Sequence, residues 1–408
     1  MNSLVPDRKA KTRLRAAFID TFAEFEEIES DWKALEAQDP ETTFFLSWDW
    51  MAQAFRGNLY RWSVLVVRDR NDGDRLVGVL PLKYNVHWST TRGEFQTRIE
   101  AGGRLIFSEY TGFLCDARTE RAVLQSMADA LRVMPWSRLS LRYVAQQRRA
   151  EMFCAQFERL GFPVAWKEYR INKGETDNLV CPRVPLPETF ETYLQDCVSA
   201  NTRQRYRRFK RKYFTDGSYR FTHCSAETFD ADVAKLMTFW KEKWSPDKGS
   251  GTASKVAANF RRVLEAALAT DALFLPILWR DDTPLAALGH VMDPRNGTMH
   301  FIIAGRDTTA EEPFIGAALH FHSIECAILL GCQSYDFGHG DEAYKFSYGA
   351  EKTRLTYFSI SRPEGSTHEV FDSISTGAAL RRIEAFIGAG KSDEARRACR
   401  QLSQTFTG

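Results

Sequence analysis

The sequence predicts an α/β fold of two tandem modules, each with a mixed central sheet flanked by helices, followed by a C-terminal helical extension. Three observations carry this expectation. With 408 residues the chain exceeds one small module, and at roughly 100 to 200 residues per domain it suits two or three. A succession of helix pair, hairpin, strand, helix and strand is legible twice, without obvious sequence identity between the two passes. Hydrophobic residues make up 44% of the chain, with 29 Phe, 13 Tyr and 10 Trp, which supplies two sizeable cores and excludes a disordered or fibrous chain.

The first pass opens with an extended segment at Arg15 to Asp20. Phe25, Ile28, Trp32 and Leu35 then fall at spacings of 3, 4 and 3, which is one helical face. A second helical segment covers Trp48 to Phe55. The apolar runs Trp62 to Val67 and Leu76 to Leu82 flank the turn-rich Asp69 to Asp74 and read as a β-hairpin. A strand at Gly112 to Cys115, a helix at Thr119 to Val133, a strand at Arg138 to Val144 and a helix at Arg148 to Leu160, ended by Gly161, complete the pass.

The second pass begins at Leu179 to Arg183, and Pro185 and Pro187 introduce a helix around Thr189 to Gln195. A basic helix (Thr202 to Phe214), a strand (Tyr219 to His223), a helix (Ala231 to Trp244), a Gly/Ser loop (Lys248 to Ser254) and a helix (Ala257 to Ala269) follow. Leu273 to Trp279 and Leu285 to Met292 form a second hairpin around Asp281 and Asp282. Met299 to Ala304 adds a strand, Phe314 to Leu330 a long helix, and Ser334 to Phe337 and Arg354 to Ser361 the last strands. The Arg-rich amphipathic tail, Phe371 to Phe406, is expected to pack outside the second module. The division that results is a disordered terminus over 1–14, modules over 15–175 and 176–362, and a helical extension over 363–408.

Lys plus Arg (55) nearly balances Asp plus Glu (53), so the formal charge of +2 gives no chain-wide attraction to nucleic acid or anionic membrane. The eight cysteines show no Cys-x-x-Cys and no Cys/His spacing that suits zinc, so reduced thiols and no metal are expected. The first twenty residues lack the apolar core of a signal peptide, and the longest apolar stretch, Ala272 to Trp279, falls far short of a membrane span. A soluble cytoplasmic protein without a transmembrane segment is the expectation.

Chemistry concentrates in Tyr335-Asp336-Phe337-Gly338-His339-Gly340-Asp341-Glu342-Ala343-Tyr344-Lys345-Phe346. Two glycines bracket His339 directly after a strand, so the backbone can turn tightly beside a ligand. Carboxylate, imidazole, phenol and ammonium groups crowd that strand end and offer base, acid and charge stabiliser together. Seven Arg or Lys lie between Arg203 and Lys212, but Tyr206, Phe209 and Tyr213 make an aromatic stripe, so this helix is expected to pack on one face and turn its charges outward. His290 and His300 could face the cleft; a lone His on a half-buried strand is more often a hydrogen-bonded core residue, so His290 is a secondary candidate. His320 and His322, two apart on a helix, make a poor metal pair. Lys248 to Thr252 lacks the Gly-Lys-Ser/Thr ending of a phosphate loop. In the N-terminal half, Gly102-Gly103 and Ser108-Glu109-Tyr110 are the only similar cluster, and that half is expected to be degenerate or acceptor-shaping.

The segment Gly305 to Lys345, with its Tyr-Asp-Phe-Gly-His-Gly-Asp-Glu-Ala-Tyr-Lys ending, resembles the GNAT-type acyltransferases of the CelD-like, cellulose-biosynthesis branch, related to the Fem peptidyl-transferases. The resemblance takes in the basic helix at Asn201 to Lys212 and Pro284-Leu285-Ala286-Ala287, and covers roughly residues 180 to 360. It implies two GNAT-like halves in tandem and an acyl-CoA, usually acetyl-CoA, bound where two strands splay, with its pyrophosphate at the next helix start. On this chain Phe301, Ala304, Gly305 and Arg306 would come from the strand, and Phe314, Gly316 and Ala317 from the helix. Glu311 and Glu312 precede that helix and would repel a pyrophosphate.

Direct transfer to an amine needs a base, a polarised carbonyl and a proton for the leaving thiolate. Asp336 or Glu342, assisted by His339, would accept the amine proton, and a backbone N–H from Phe301 to Gly305 would polarise the carbonyl. Tyr344 would protonate the thiolate, and Lys345 would hold an anionic group or pair with Asp341. The implied function is N-acyl transfer to an amine of a sugar, polysaccharide precursor or related metabolite. An aminoacyl-tRNA-dependent Fem-type transferase and a non-catalytic module of an exopolysaccharide-synthesis complex are the alternatives.

Overall fold

The structure, a computed structural model, describes residues 14–58, 61–364 and 369–407. The disordered terminus expected over 1–14 lies outside them except for Leu14, which opens β1 (Leu14–Ile19). Helices α1 (Phe22–Glu27) and α2 (Glu29–Gln38) carry the stripe Phe25, Ile28, Trp32 and Leu35, all buried as the spacing requires. The helical path breaks at Ile28, whose φ of −95° and ψ of 7° end one helix and begin the next. Helix α3 (Trp48–Arg56) is capped by the Ser47 hydroxyl, and its Phe55 stacks on Trp62 with centroids 4.1 Å apart.

Strands β2 (Trp62–Asp69), β3 (Arg75–Ser89) and β4 (Glu94–Ala101) run antiparallel in order. The sequence reading missed β4. Its Phe95, Thr97, Ile99 and Ala101 are buried in strict alternation, but a Thr among Glu, Gln and Arg dilutes the apolar signal. The two-residue β5 (Leu114–Cys115) pairs with β3, and α4 (Glu120–Val133) crosses over to place β6 (Arg138–Val144) parallel to β4. Helix α5 (Gln147–Glu158) and β7 (Val164–Trp166) follow.

A small ribbon of β8 (Arg170–Ile171) and β9 (Thr176–Asp177) leads to β10 (Val180–Pro185), α6 (Phe190–Asp196) and the basic α7 (Ala200–Tyr213). Then come β11 (Tyr219–His223), α8 (Phe229–Lys248) and α9 (Ser250–Ala269). The expected Gly/Ser loop at 248–254 is instead a helix junction. Gly249, at φ 77°, ends α8, and α9 starts at once because Ala253 and Ala257 pack into the core with Trp240. Strands β12 (Leu273–Phe274), β13 (Pro276–Arg280), β14 (Thr283–Asp293) and β15 (Thr298–Arg306) continue the sheet. Helix α10 (Ile315–Leu329), β16 (Ser334–Asp336), the short α11 (Ala343–Phe346) and β17 (Glu351–Arg354) finish it. The second sheet runs β11-β13-β14-β15-β16-β10-β17.

The strand β18 (Thr356–Ser361) does not join that sheet. It returns to the first one and lies between β6 and β7, giving the order β1-β2-β3-β4-β6-β18-β7. The tail also departs from expectation: α12 (Thr376–Gly388) and α13 (Ser392–Thr407) pack on the first sheet, where Phe371, Ile383 and Phe386 cover Trp88 and Phe95 at the ends of β3 and β4. That apolar pair would otherwise face water. Among the described residues no helix is long and apolar enough to cross a membrane.

One buried charge cluster fixes the first half. Arg149 on α5 donates to both oxygens of Asp39, at 2.6 and 2.7 Å, to Glu120 of α4 at 2.5 Å and to the Phe113 carbonyl at 3.0 Å. Arg149 and Asp39 are fully buried, so removing the cation strands uncompensated charge. An Arg149→Met variant is expected to lose about 3–5 kcal/mol in urea unfolding, far more than Arg148→Met at the exposed neighbouring position.

Candidate active site

Strands β15 and β16 are parallel, but they pair only from Thr298 to His300 against Ser334 to Asp336. Beyond that point β15 runs on to Arg306, while the chain after Asp336 turns away through Gly338 (φ 63°) and Gly340 (φ 98°). Only glycine takes such φ values at low cost, and a Cβ at Gly338 would lie 3.0 Å from the Phe301 carbonyl oxygen. The strands therefore splay. A cavity of about 380 Å³ opens between them, walled by Phe301 to Ala304, by Trp240 and Trp244 of α8, by Phe260 of α9, and by Gly338, His339, Glu342, Tyr344 and Lys345. Glu109, from the first half of the chain, closes it.

Asp336 sits at the root of the splay with no exposed surface. It accepts from the Tyr110 hydroxyl, from Arg183 at 3.1 Å and from the Gly338 N–H at 2.8 Å, and His300 Nδ1 lies 3.4 Å away. Burial alone would raise its pKa, but His300 and Arg183 outweigh that and hold the carboxyl well below the ordinary range. Asp336 is thus a saturated anion, and the expected role as proton acceptor does not suit its surroundings.

The other motif residues divide between loop clamps and cavity wall. Lys345, also buried, donates to the carbonyls of His339 at 2.6 Å and Gly340 at 3.0 Å and pairs with Glu342 at 2.9 Å. It holds the turn rather than offering a free ammonium, and its partner is Glu342, not Asp341. Asp341 accepts the Asp177 N–H at 2.8 Å and ties the turn to β9. Tyr344 is 48% exposed and lines the cavity, where partial desolvation pushes its phenol further above the usual range and keeps it protonated.

One titratable pair joins the two halves. His339 stacks on Tyr143, with centroids 3.7 Å apart, and its Nε2 lies 2.6 Å from the Glu109 carbonyl oxygen. A carbonyl only accepts, so Nε2 carries the ring proton and Nδ1 keeps its lone pair. The Glu109 carboxyl, 3.1 Å from Nδ1, donates to it when protonated. Burial lifts Glu109 to about 7, opposed by Arg104 and aided by Asp336. Burial and Arg104 push His339 down to about 3, so the imidazole is neutral. The pair holds one proton near neutrality and can accept another group's proton once Glu109 ionises. The sequence showed the Ser108-Glu109-Tyr110 cluster but not its contact with His339 across the fold.

His290 lies away from the cavity. It is fully buried, with Nδ1 at 3.1 Å from the Phe274 carbonyl and Nε2 at 2.9 Å from the Tyr335 hydroxyl, which also meets His320. On β15, Phe301 and Ala304 line the cavity, whereas Gly305 is pressed against α8, where a Cβ would come within 2.9 Å of the Leu236 carbonyl oxygen. Arg306 is exposed at the strand end. At the start of α10, Phe314 adopts a left-handed conformation (φ 77°), Gly316 has open space where a side chain would stand, and Ala317 packs into the core.

Glu312 is not the free carboxylate its position suggested. It accepts from Arg280 at 2.5 Å and from the Tyr219 hydroxyl at 2.7 Å, which neutralises it locally. Helix α7 packs through Tyr206 and Phe209, sets Arg205 over the Phe314 ring at 5.1 Å, and turns Arg207, Arg208, Arg211 and Lys212 to solvent. A second cleft of about 610 Å³ lies across the Asp336 wall, where Tyr110, Arg183 and His300 meet Pro40 to Thr43 of the first half.

Residues 200–346 match the family described as Acetyltransferase (GNAT) domain. FemX superposes with a TM-score of 0.57 at 11% identity, covering 81% of this chain and 95% of FemX. A tandem GNAT protein from the clavulanic acid biosynthesis pathway gives 0.48 at 13% identity, covering 86% of this chain and all of that one. L-PGS from Bacillus licheniformis gives 0.48 at 10% identity, with 86% and 94% covered. No curated protein matches the sequence. Residues 200–346 thus match a GNAT domain, and the chain shares the fold of FemX, built here on two mixed sheets; the finer CelD-like likeness finds no counterpart in these matches.

Asp336 also sets an acid limit. Its folded pKa is depressed, so its contribution is fully present above the unfolded carboxylate value near ~4 and fades as the pH falls below it. Asp336→Asn is expected to lower stability at pH 7 by about 3–5 kcal/mol and to flatten the fall in stability below pH ~4, as read by urea unfolding across pH.

Proposed function

We propose that the protein transfers an acyl group, acetyl in the simplest case, from acyl-CoA to an amine by direct attack in the cavity between β15 and β16. The observation that carries this reading is the splay itself, which opens directly onto the Glu109–His339 pair. A thioester laid along Phe301 to Ala304 would meet backbone N–H groups on one side and that proton acceptor on the other.

In this reading the amine loses its proton to ionised Glu109, the N–C bond forms as the C–S bond breaks, and Tyr344 supplies a proton to the departing thiolate. Glu109 takes the base role first given to Asp336 or Glu342, and Lys345, Asp341 and Asp336 hold the turn that carries His339. The start of α10 would receive the donor's phosphates: Gly316 leaves the backbone open, Arg205 stands over the Phe314 ring at that helix start, and Glu312 is already paired. Sugars, polysaccharide precursors and related metabolites remain the acceptor class implied by sequence resemblance, and a cytoplasmic location belongs to the same reading.

The exposed basic face of α7 favours a second reading, in which an aminoacyl-tRNA is the donor, as the Fem-type resemblance implies.

Calorimetric titration with acetyl-CoA near physiological salt tests the first reading. Micromolar binding, weakened about ten-fold by Arg205→Ala, is expected. Absence of acetyl-CoA binding together with copurifying RNA would select the second reading, and absence of both would point to a non-catalytic module. For turnover with a small amine panel, kcat/KM should fall as the pH drops through about 7, since the base must be ionised. Glu109→Gln should reduce kcat by about 10²–10⁴-fold and remove that limb of the profile, while acetyl-CoA affinity stays unchanged.

A further inference from the structure

Among the described residues, one group of His, Cys, Asp and Glu side chains brings three ligand atoms close enough together for a metal ion: His223, His322 and Cys326. None of the three lines the cavity that holds the Glu109–His339 pair. His322 and Cys326 are four apart on α10 and share one face, and His223 ends β11, the outermost strand of the second sheet. No Cys/His spacing in the sequence suggests zinc, because His322 and Cys326 supply only two ligands and the third comes from a distant strand.

The three atoms converge. His223 Nε2 and His322 Nε2 are 2.9 Å apart, Cys326 Sγ is 3.6 Å from the second of them and 4.0 Å from the first. A tetrahedral zinc ion with bonds of about 2.0–2.1 Å to nitrogen and about 2.3 Å to sulfur needs edges of about 3.3 Å and 3.6 Å between those donors. Small side-chain adjustments reach that geometry. Phe221 stacks flat on the His322 ring, with centroids 3.9 Å apart and planes at 3°, and so fixes the direction of its Nε2. One hydrogen bond between neutral imidazoles would account for the His pair alone, but not for a thiol aimed at the same point from the next helical turn.

We propose that His223, His322 and Cys326 bind a zinc(II) ion, with water in the fourth position, and thereby tie the edge strand β11 to helix α10. Two imidazoles and a thiolate are a borderline-soft donor set that suits zinc. A neutral imidazole offers a lone pair to a metal without losing a proton. A thiol binds zinc only as the thiolate, so one proton leaves for each ion bound. Lys210 lies near His322 and Glu325 near Cys326, so the surrounding charges oppose each other. The open fourth position follows from the exposure of His223.

The test uses the full-length protein after chelator treatment, titrated with cobalt(II) and then zinc(II). One cobalt per chain, a thiolate-to-cobalt charge-transfer band, displacement by zinc and release of one proton per zinc are expected. Cys326→Ser should abolish the band, and Cys326→Ser and His223→Ala should each weaken zinc by about ten-fold or more, while Cys399→Ser, at an exposed position, leaves both unchanged. Zinc should also raise the melting temperature of the wild type but not of the two site variants. Folded wild type, verified by circular dichroism, that takes up no stoichiometric cobalt would overturn the proposal. So would a thiolate band that persists in Cys326→Ser, which would assign the metal to another cysteine.

Discussion

A single buried carboxylate organises the meeting of the two halves. Asp336 has no contact with water, so its charge must be met by groups fixed in place, and they come from four separated stretches of chain: Tyr110, Arg183, His300 and the Gly338 N–H. Each partner is thereby positioned. Tyr110 brings its neighbour Glu109 to the cavity mouth, the Gly338 N–H sets the turn that carries His339, and His300 marks the last residue at which β15 and β16 remain paired. The splay and the proton-accepting pair are two consequences of satisfying one charge.

The same logic of buried charge met by fixed partners recurs at Arg149 with Asp39 and Glu120, and at Lys345 with two carbonyls and Glu342. In each case the geometry leaves the ion no chemistry of its own. Glu109 differs. Its burial is countered by Arg104, but its nearest partner is a neutral imidazole whose proton faces a carbonyl, and a group so placed stays close to half-ionised near neutrality. A motif dense in polar residues thus separates into groups that build and groups that can react, and solvation rather than residue type draws the line.

What could be read from sequence follows from where each signal resides. Hairpins with largely apolar runs, such as Trp62 to Val67 with Leu76 to Leu82, and helices with a clear stripe, such as α4 with its buried Val123, Leu124, Met127, Ala128 and Leu131, were legible because their period is local. The strand β4 was hidden because Thr97 occupies a core position, and the start of α9 because Gly249 to Thr252 has loop composition while Ala253 and Ala257 have packing partners. The Asp336 to Lys345 motif was found as a cluster, but the roles inside it depend on partners made elsewhere in the chain. Glu109 could be seen only as part of a weak cluster, since no periodicity encodes its approach to His339. Likewise the three atoms of His223, His322 and Cys326 require β11 and α10 to be side by side before they form a group.

The return of β18 to the first sheet bears on how the chain is made. Its hydrogen bonds run to β6 and β7, strands synthesised before any of the second sheet exists. An emerging N-terminal half therefore waits with a gap between two strands whose facing N–H and C=O groups are unpaired, a surface open to intrusion by other chains. Closing it requires the second sheet to be complete, because β17 and β18 are adjacent and one delivers the other. The C-terminal helices, arriving last, cover Trp88 and Phe95 only after that closure. During vectorial synthesis the first sheet thus gains its last strand only after every strand of the second has been made.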